Sequence, residues 1–210
     1  VTPATPVLLH GPGRAASGWD AVAAELLRRG RSPLAPAIGD DDRPPYAARY
    51  VARASLEIAA AAPDTPLLLV AAAGAGPLLP PIAAAQRAAR RPVAGYALVD
   101  ALLPQPGGTD RAGLVAAQVP AGLPEEDGTA ARPAAGGLAV AGAAAPRPPD
   151  FYTEALPPAP DWPDAPCRYL LTDPRFAACA RLAGLRGWPV SDLVRTGGDP
   201  VALVDALLAE

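Results

Sequence analysis

At 210 residues the chain is long enough for one domain with a sizeable core and short for two. Half of it is apolar, yet no apolar run approaches the roughly 20 residues of a membrane span, so neither a membrane helix nor a disordered class is expected. Net charge is −3 and all basic residues are arginines scattered along the chain, so the basic stripe of a nucleic-acid binder is missing.

PVLLH (residues 6–10) is a short apolar run stopping at HGPGR, and WDAVAAELLRRG then carries apolar residues at helical spacing up to Gly30. SPLAPAI predicts a second strand, weakened by Pro33 and Pro36. DDDRPP leads into the helix YAARYVARASLEIAAAA, ended by Pro63. Leu67 to about Ala72 reads as a third strand buried on both faces, because its apolar residues do not alternate with polar ones. Pro77, Pro80 and Pro81 fall in the first turns of the next helix, where proline costs least, and PVAGYALVDA is a fourth strand ending at Asp100.

From Leu103 to about Pro166 the alternation stops, over a length unusual for a connection unless it forms a lid. RAGLVAAQV and DFYTEAL predict short helices inside it. CRYLLTD, PRFAACARLAG, PVSDLV and DPVALVDALLAE then read as strand, helix, strand and helix. The expected architecture is an α/β fold: an open, mainly parallel six-stranded sheet with helices on both faces, in a single domain over 1–210 with 103–166 as lid. Ligands are expected beyond the carboxyl ends of the strands, where HGPG and AAAGAG both lie.

Cys167 and Cys179 form no CxxC pair and have no histidine cluster, so buried free thiols are expected and no metal. VTPATPVLLHGPG lacks the basic start and long apolar core of a signal peptide, which predicts a cytoplasmic protein.

The chain resembles the α/β-hydrolase superfamily, shortened to its last six strands, over nearly its whole length apart from the insertion. His10-Gly11-Pro12-Gly13 is similar to the HG oxyanion-loop motif, and Val70 to Gly76 to the nucleophile elbow between strand and helix. GLRGWPV and GGDPVALVDALL resemble the last strand and C-terminal helix. In the elbow pattern small residues flank an exposed nucleophile, so Ala71-Ala72-Ala73-Gly74-Ala75 puts Ala73 in the nucleophile position, with Ala72 beside it as inert pocket floor.

The resemblance also places a catalytic histidine in the loop after the last strand. Here Arg195-Thr196-Gly197-Gly198 runs directly into Asp199-Pro200. His10 is the chain's one histidine, and beside Gly11 it suits loop anchoring at the pocket wall better than proton transfer. No Ser-His-Asp triad assembles in the superfamily's arrangement.

The resemblance leaves an oxyanion hole built from backbone N–H groups: Gly74, together with Gly13 or Arg14, since Pro12 has no N–H. Asp100 and Asp173 stand at strand ends where the family carries its triad acid. Either acts as a general acid or base if buried, or as a loop or helix cap. Tyr152, Glu154 and Trp162 either roof the pocket, with the Tyr152 hydroxyl as proton donor, or glue the lid to the body. Ser17 either lines the pocket or caps the helix near Trp19, and Asp40-Asp41-Asp42 reads as a solvated turn.

The resemblance implies a cofactor-free, non-hydrolytic enzyme, a cyclase, isomerase or lyase, acting on an apolar carbonyl-bearing small molecule in bacterial polyketide-type biosynthesis. A ring-forming or elimination step is the preferred form. The alternatives are a catalytically inactive small-molecule-binding or scaffold protein, and a hydrolase using Ser17 with Asp100. A small apolar substrate is the expected partner, with no nucleic acid and no membrane, and a homodimer is left open.

Overall fold

The computed structural model describes residues 3–39, 43–120 and 147–209. The loop Asp40-Asp41-Asp42 and the stretch GLPEEDGTAARPAAGG lie outside them. In chain order the first half gives β1 (Thr5–Leu9), α1 (Asp20–Arg28), α2 (Tyr46–Ala61), β2 (Leu67–Ala73), α3 (Leu79–Ala88) and β3 (Val93–Ala101). The insertion contributes β4 (Thr109–Asp110), α4 (Arg111–Gln118), α5 (Pro149–Thr153) and β5 (Ala155–Leu156), and the chain continues through β6 (Cys167–Leu171), α6 (Ala177–Leu185), β7 (Val190–Asp192) and α7 (Pro200–Leu208).

The main sheet is parallel with strand order β1-β2-β3-β6-β7, and β4 pairs antiparallel with β5 in a separate ribbon. Among the described residues it has five strands rather than the expected six. SPLAPAI reaches the sheet only at Leu34, which bridges Val7: Leu8 N–H donates to the Leu34 carbonyl at 2.7 Å, and Leu34 N–H donates to the Pro6 carbonyl at 2.8 Å. Pro33 and Pro36 on either side have no N–H to extend the ladder.

The period of two along each strand sorts the core into two layers. Val7, Leu9, Leu69, Ala71, Tyr96, Leu98, Tyr169 and Leu171 pack with Tyr50, Ile58, Ile82 and Cys179, the side covered by α2, α3 and α6. Leu8, Val70, Ala72, Ala97, Val99 and Leu170 pack with Trp19, Val22, Leu26, Leu203 and Leu207, the side covered by α1 and α7. Burial on both faces explains why these strands read as unbroken apolar runs.

Leaving β1, the chain bridges β1 on its outer edge at Leu34 and returns as β2 on the inner side. That reversal makes the carboxyl ends of β1 and β2 the switch point of the sheet, where open α/β folds leave a crevice. Among the described residues, no helix is long and apolar enough to cross a membrane.

Candidate active site

β2 ends at Ala73, whose φ of 49° is left-handed, a conformation that costs a residue with a Cβ about 1–2 kcal/mol. A sharp turn follows, closed by the Ala75 N–H donating to the Ala72 carbonyl at 3.0 Å, and a short 3-10 helix (Gly76–Leu78) leads into α3. Backbone crowding selects the small residues here: a Cβ on Gly76 would stand 1.9 Å from the Leu102 carbonyl oxygen. The strained residue is therefore Ala73, and it presents only a methyl group.

Ala72 does not floor a pocket. Its side chain has the opposite parity to Ala71 and Ala73 and is buried in the layer under α1 and α7.

The HG loop folds against this turn. Gly11 to Arg14 form a turn with Pro12 and Gly13 in the middle, Gly13 at φ 76° and Arg14 N–H donating to the Gly11 carbonyl at 3.1 Å. Proline followed by a positive-φ glycine is the signature of a type II turn. The Arg14 N–H is thus committed within the loop, so of the two proposed second donors Gly13 remains. Pro12 Cδ lies 3.4 Å from the position of a Cβ on Gly74, so loop and elbow are in contact. Among the described residues, neither the Gly74 nor the Gly13 N–H has a hydrogen-bond partner.

His10 is buried with both ring nitrogens engaged. Ile38 N–H donates to Nε2 at 3.2 Å, which requires that nitrogen to be unprotonated, and Nδ1 then donates to the Gly11 carbonyl at 2.9 Å. The Tyr50 hydroxyl donates to the His10 carbonyl, and the two rings meet edge to face. The imidazole ties the HG loop to the segment around Ile38 and to α2.

Asp100 is the extra residue in an irregularity where Ala72 pairs with Val99 but Ala73 pairs with Ala101. With φ at 44° its carboxylate turns toward the end of β6, accepting from Thr172 N–H at 2.8 Å, from Asp173 N–H at 3.1 Å and from the Thr172 hydroxyl. Burial pushes its carboxyl up to about 6, against those three donors, which lower it. Asp173 caps the following 3-10 helix through the Arg175 N–H at 2.9 Å and pairs with the Arg175 guanidinium. The Asp100 carboxylate joins the ends of β3 and β6, and that of Asp173 caps the turn that follows β6.

Ser17 is exposed inside a 3-10 helix (Ala16–Trp19) whose N-cap is Ala15, and α1 starts after Trp19, so its hydroxyl caps neither helix. Asp100 spends its oxygens on Thr172 and Asp173, not on Ser17. Tyr152 lies on α5, edge-on to Phe151 at 5.2 Å. Glu154 accepts from Ala47 N–H at 2.8 Å, and the Tyr46 hydroxyl donates to Asp150 at 2.8 Å, fastening the lid to the start of α2. Trp162 lies away from the elbow: it packs on Tyr96 and Trp188, and Tyr96 pairs with Cys167 at the start of β6, near the amino end of the sheet.

Two arginines that the sequence did not single out complete the surroundings. Arg111, the first residue of α4, is 3% exposed, and its Nη1 stands 3.3 Å from the position of a Cβ on Gly74. Nε of Arg147 stands 3.1 Å from the position of a Cβ on Gly13. Both guanidinium groups lie over the Phe151 ring, at 4.2 and 4.7 Å from its centre. The sequence signalled the helix through its cap, Asp110, which accepts from Gly113 N–H at 2.6 Å, but nothing local showed where its arginine would point.

No family model matches the sequence, and no curated protein matches it either. Solved structures do resemble it. An extracellular α/β-hydrolase from a Paenibacillus species, described as sharing structural and functional homology with tobacco salicylic acid binding protein 2, is 18% identical with a TM-score of 0.67, over 98% of each chain. A variant of tomato methylketone synthase I complexed with β-ketoheptanoate is 14% identical with a TM-score of 0.69, over 99% of this chain and 97% of that one. A pyrethroid hydrolase from Sphingobium faniae is 16% identical with a TM-score of 0.57, over 98% and 96%. With its parallel sheet, its helices on both faces and its strained turn after β2, the chain is an α/β-hydrolase-fold protein.

Proposed function

We infer that the protein is a cofactor-free, non-hydrolytic enzyme, a lyase, isomerase or cyclase, acting on an apolar small molecule that carries a carbonyl, in a pathway of polyketide type. The observation that carries this reading is the Gly74 N–H, which follows the strained Ala73, borders the HG loop and has no partner among the described residues. A carbonyl oxygen accepting from it gains charge as an adjacent bond breaks and the electron pair moves into an enolate. One preorganised donor of this kind is worth about 2.7–4 kcal/mol in the transition state. The Gly13 N–H is the second candidate donor.

The side chains argue against an acyl-enzyme. Ala73 has nothing to attack with, and the His10 ring nitrogens are taken by Gly11 and Ile38. Among the three classes, a decarboxylating lyase step asks least of this site: the bond between the α carbon and a carboxylate breaks, its electron pair moves into the enolate, the carboxylate leaves as neutral CO2 with no base required, and solvent supplies the proton afterwards. A β-ketoacid is bound by one of the structurally similar proteins, the tomato synthase variant, which supports a carbonyl substrate. The engaged states of His10, Asp100 and Asp173 favour the second reading, an inactive small-molecule binder.

The test is incubation with a panel of 3-oxo acids, 1,3-diketones and linear polyketone mimics, followed by mass spectrometry and by proton NMR in deuterated water. Loss of a fragment marks a lyase. Conversion at constant mass marks cyclisation or isomerisation. Tight binding of panel members with neither conversion nor deuterium uptake would leave the binder reading in its place.

A further inference from the structure

We propose that Asp100 is a positioning residue for the Gly74 N–H: its buried carboxylate braces the end of β3 against the end of β6, and the braced segment holds the elbow in shape. The aim of the donor therefore depends on pH. The proposal deepens the functional reading and rests on it for one point, that the Gly74 N–H is the group a ligand carbonyl meets.

The backbone ladder between β3 and β6 stops at Val99 and Leu170. Beyond it the Asp100 side chain continues the join, accepting from Thr172 N–H at 2.8 Å, from Asp173 N–H at 3.1 Å and from the Thr172 hydroxyl. The next two residues are held in turn. Ala101 N–H donates to the Tyr169 hydroxyl at 3.1 Å, and that hydroxyl donates to the Ala101 carbonyl at 3.1 Å. Leu102 N–H donates to the Ala73 carbonyl at 3.1 Å, while the Leu102 carbonyl leaves no room for a side chain at Gly76. Residues 100 to 102 thus tie the exit of β6 to the turn that contains Gly74. Both left-handed residues of the site, Ala73 and Asp100, lie on this path. Close-packed interiors are stiff and transmit a displacement along it.

Ionisation sets the strength of the brace. Hydrogen bonds to an ionised acceptor are roughly twice as strong as those to a neutral one. A proton on Asp100 removes the charge and turns one acceptor oxygen into a donor, so the Thr172 hydroxyl has to reverse its bond. Burial places this step at about 6. Facing Asp100 are Asp173, which pairs with Arg175, Tyr169 on β6 and Cys179 on α6. Burial pushes the Tyr169 hydroxyl well above its ordinary value and the Cys179 thiol up to about 12, so both stay neutral through this range. On the β2 side, Ala72 and Ala73 bring no titratable group.

The test is NMR of the full chain without ligand from pH 4.5 to 7.5, following the Asp100 carboxyl carbon and the amides of Thr172, Asp173, Leu102 and Gly74. In the parent these signals are expected to titrate with one midpoint near 6. Asp100→Asn is expected to abolish the step at every amide. Tyr169→Phe cuts the clamp on Ala101 and leaves the charge in place. Thr172 and Asp173 should then titrate as before, while the steps at Leu102 and Gly74 fall to a minor fraction. A field from the carboxylate alone would reach the amides of both proteins alike.

Calorimetry with 2-heptanone, a neutral carbonyl probe, reads the aim of the donor itself and serves where thermal melts show Tyr169→Phe to be unfolded. Its affinity for the parent is expected to be at least about five-fold weaker at pH 5 than at pH 7, as coupling between two sites allows, and equal at both in Asp100→Asn. The field of a nearby anion would act the other way, repelling a carbonyl oxygen at high pH. A Gly74 amide that does not follow the carboxyl carbon, a step that survives Asp100→Asn or is untouched by Tyr169→Phe, or equal 2-heptanone affinity at both pH values in the parent overturns the proposal. Absence of 2-heptanone binding at either pH removes the carbonyl reading instead, and the amide titrations then decide the brace alone.

Discussion

The side-chain amide of Gln118 pairs with the backbone of Leu103 as a second strand would: Nε2 donates to the Leu103 carbonyl at 3.0 Å, and Oε1 accepts from the Leu103 N–H at 2.7 Å. Gln118 is the last residue of α4 and is buried, so this pairing anchors the helix that carries Arg111 to the chain leaving β3. Gln118→Leu fills similar space but leaves the buried Leu103 N–H unsatisfied, at a cost of about 1–3 kcal/mol, while the Leu103 carbonyl keeps the Gln105 amide as donor at 3.2 Å. Urea unfolding should show a loss of that order. An unchanged midpoint would mean that the pairing contributes nothing to holding α4.

Asp100 gives a pH signature. Its carboxyl is pushed from 3.8 up to about 6 chiefly by burial, so the folded state binds its proton more tightly than the unfolded state does. The stability this contributes is fully present below the unfolded value and is lost as pH rises through about 6, a swing on the order of 3 kcal/mol at 1.36 kcal/mol per pKa unit. Asp100→Asn keeps acceptors for the Thr172 and Asp173 N–H groups, carries no charge and tolerates the left-handed φ of 44°. Denaturant titrations from pH 4 to 7 should show the parent losing stability relative to this variant as pH rises. Parallel curves would refute the assignment.

The same residues show how far the sequence reached. Strands buried on both faces are legible because Leu67 to Ala73 and Val93 to Ala101 have no polar alternation, and Gly76 marks the turn because nothing larger fits against Leu102. SPLAPAI reads as a strand by apolar content, yet its prolines stop the ladder after one bridge. The elbow pattern sets Ala72 beside Ala73 in the pocket, but Ala72 still belongs to the strand, whose parity sends its methyl to the α1–α7 layer. The positions of Arg111, Arg147 and Trp162 depend on where an insertion folds back. Gln118, Phe151 and Tyr96 fix them, contacts between residues far apart in sequence that no local pattern encodes.

Gly76→Ala tests the elbow itself. The new Cβ would stand 1.9 Å from a backbone carbonyl oxygen, which no side-chain rotation relieves. The turn or the chain after β3 has to move, and overpacking of this kind costs about 1–3 kcal/mol or more. Lower melting temperature together with weakened ligand binding is the expected pair of effects, since Gly74 lies in the same turn. Wild-type values for both would contradict the geometry.

The two thiols offer a check on the core. Burial pushes both Cys167 and Cys179 up to about 12, so neither forms appreciable thiolate at neutral pH, and thiolate is the reacting species. Ellman's reagent at pH 8 should titrate almost no thiol in the native protein and both after denaturation. Rapid native reaction of either would show a core more open than described.

Ala73→Ser restores a hydroxyl at the strained position after β2, and the outcome separates a lost side chain from a lost mechanism. A serine at this turn attacks only if a base takes its proton, a contribution of about 10²–10⁴-fold in rate. His10 cannot serve while Ile38 N–H occupies Nε2 and the Gly11 carbonyl holds Nδ1, and Asp100 is tied to Thr172 and Asp173. The variant should therefore hydrolyse 4-nitrophenyl acetate no faster than the parent, with no burst of nitrophenol. A burst of one equivalent would reveal a base within reach of residue 73, and the case for enolate chemistry without a nucleophile would then give way to that of a hydrolase one substitution from activity.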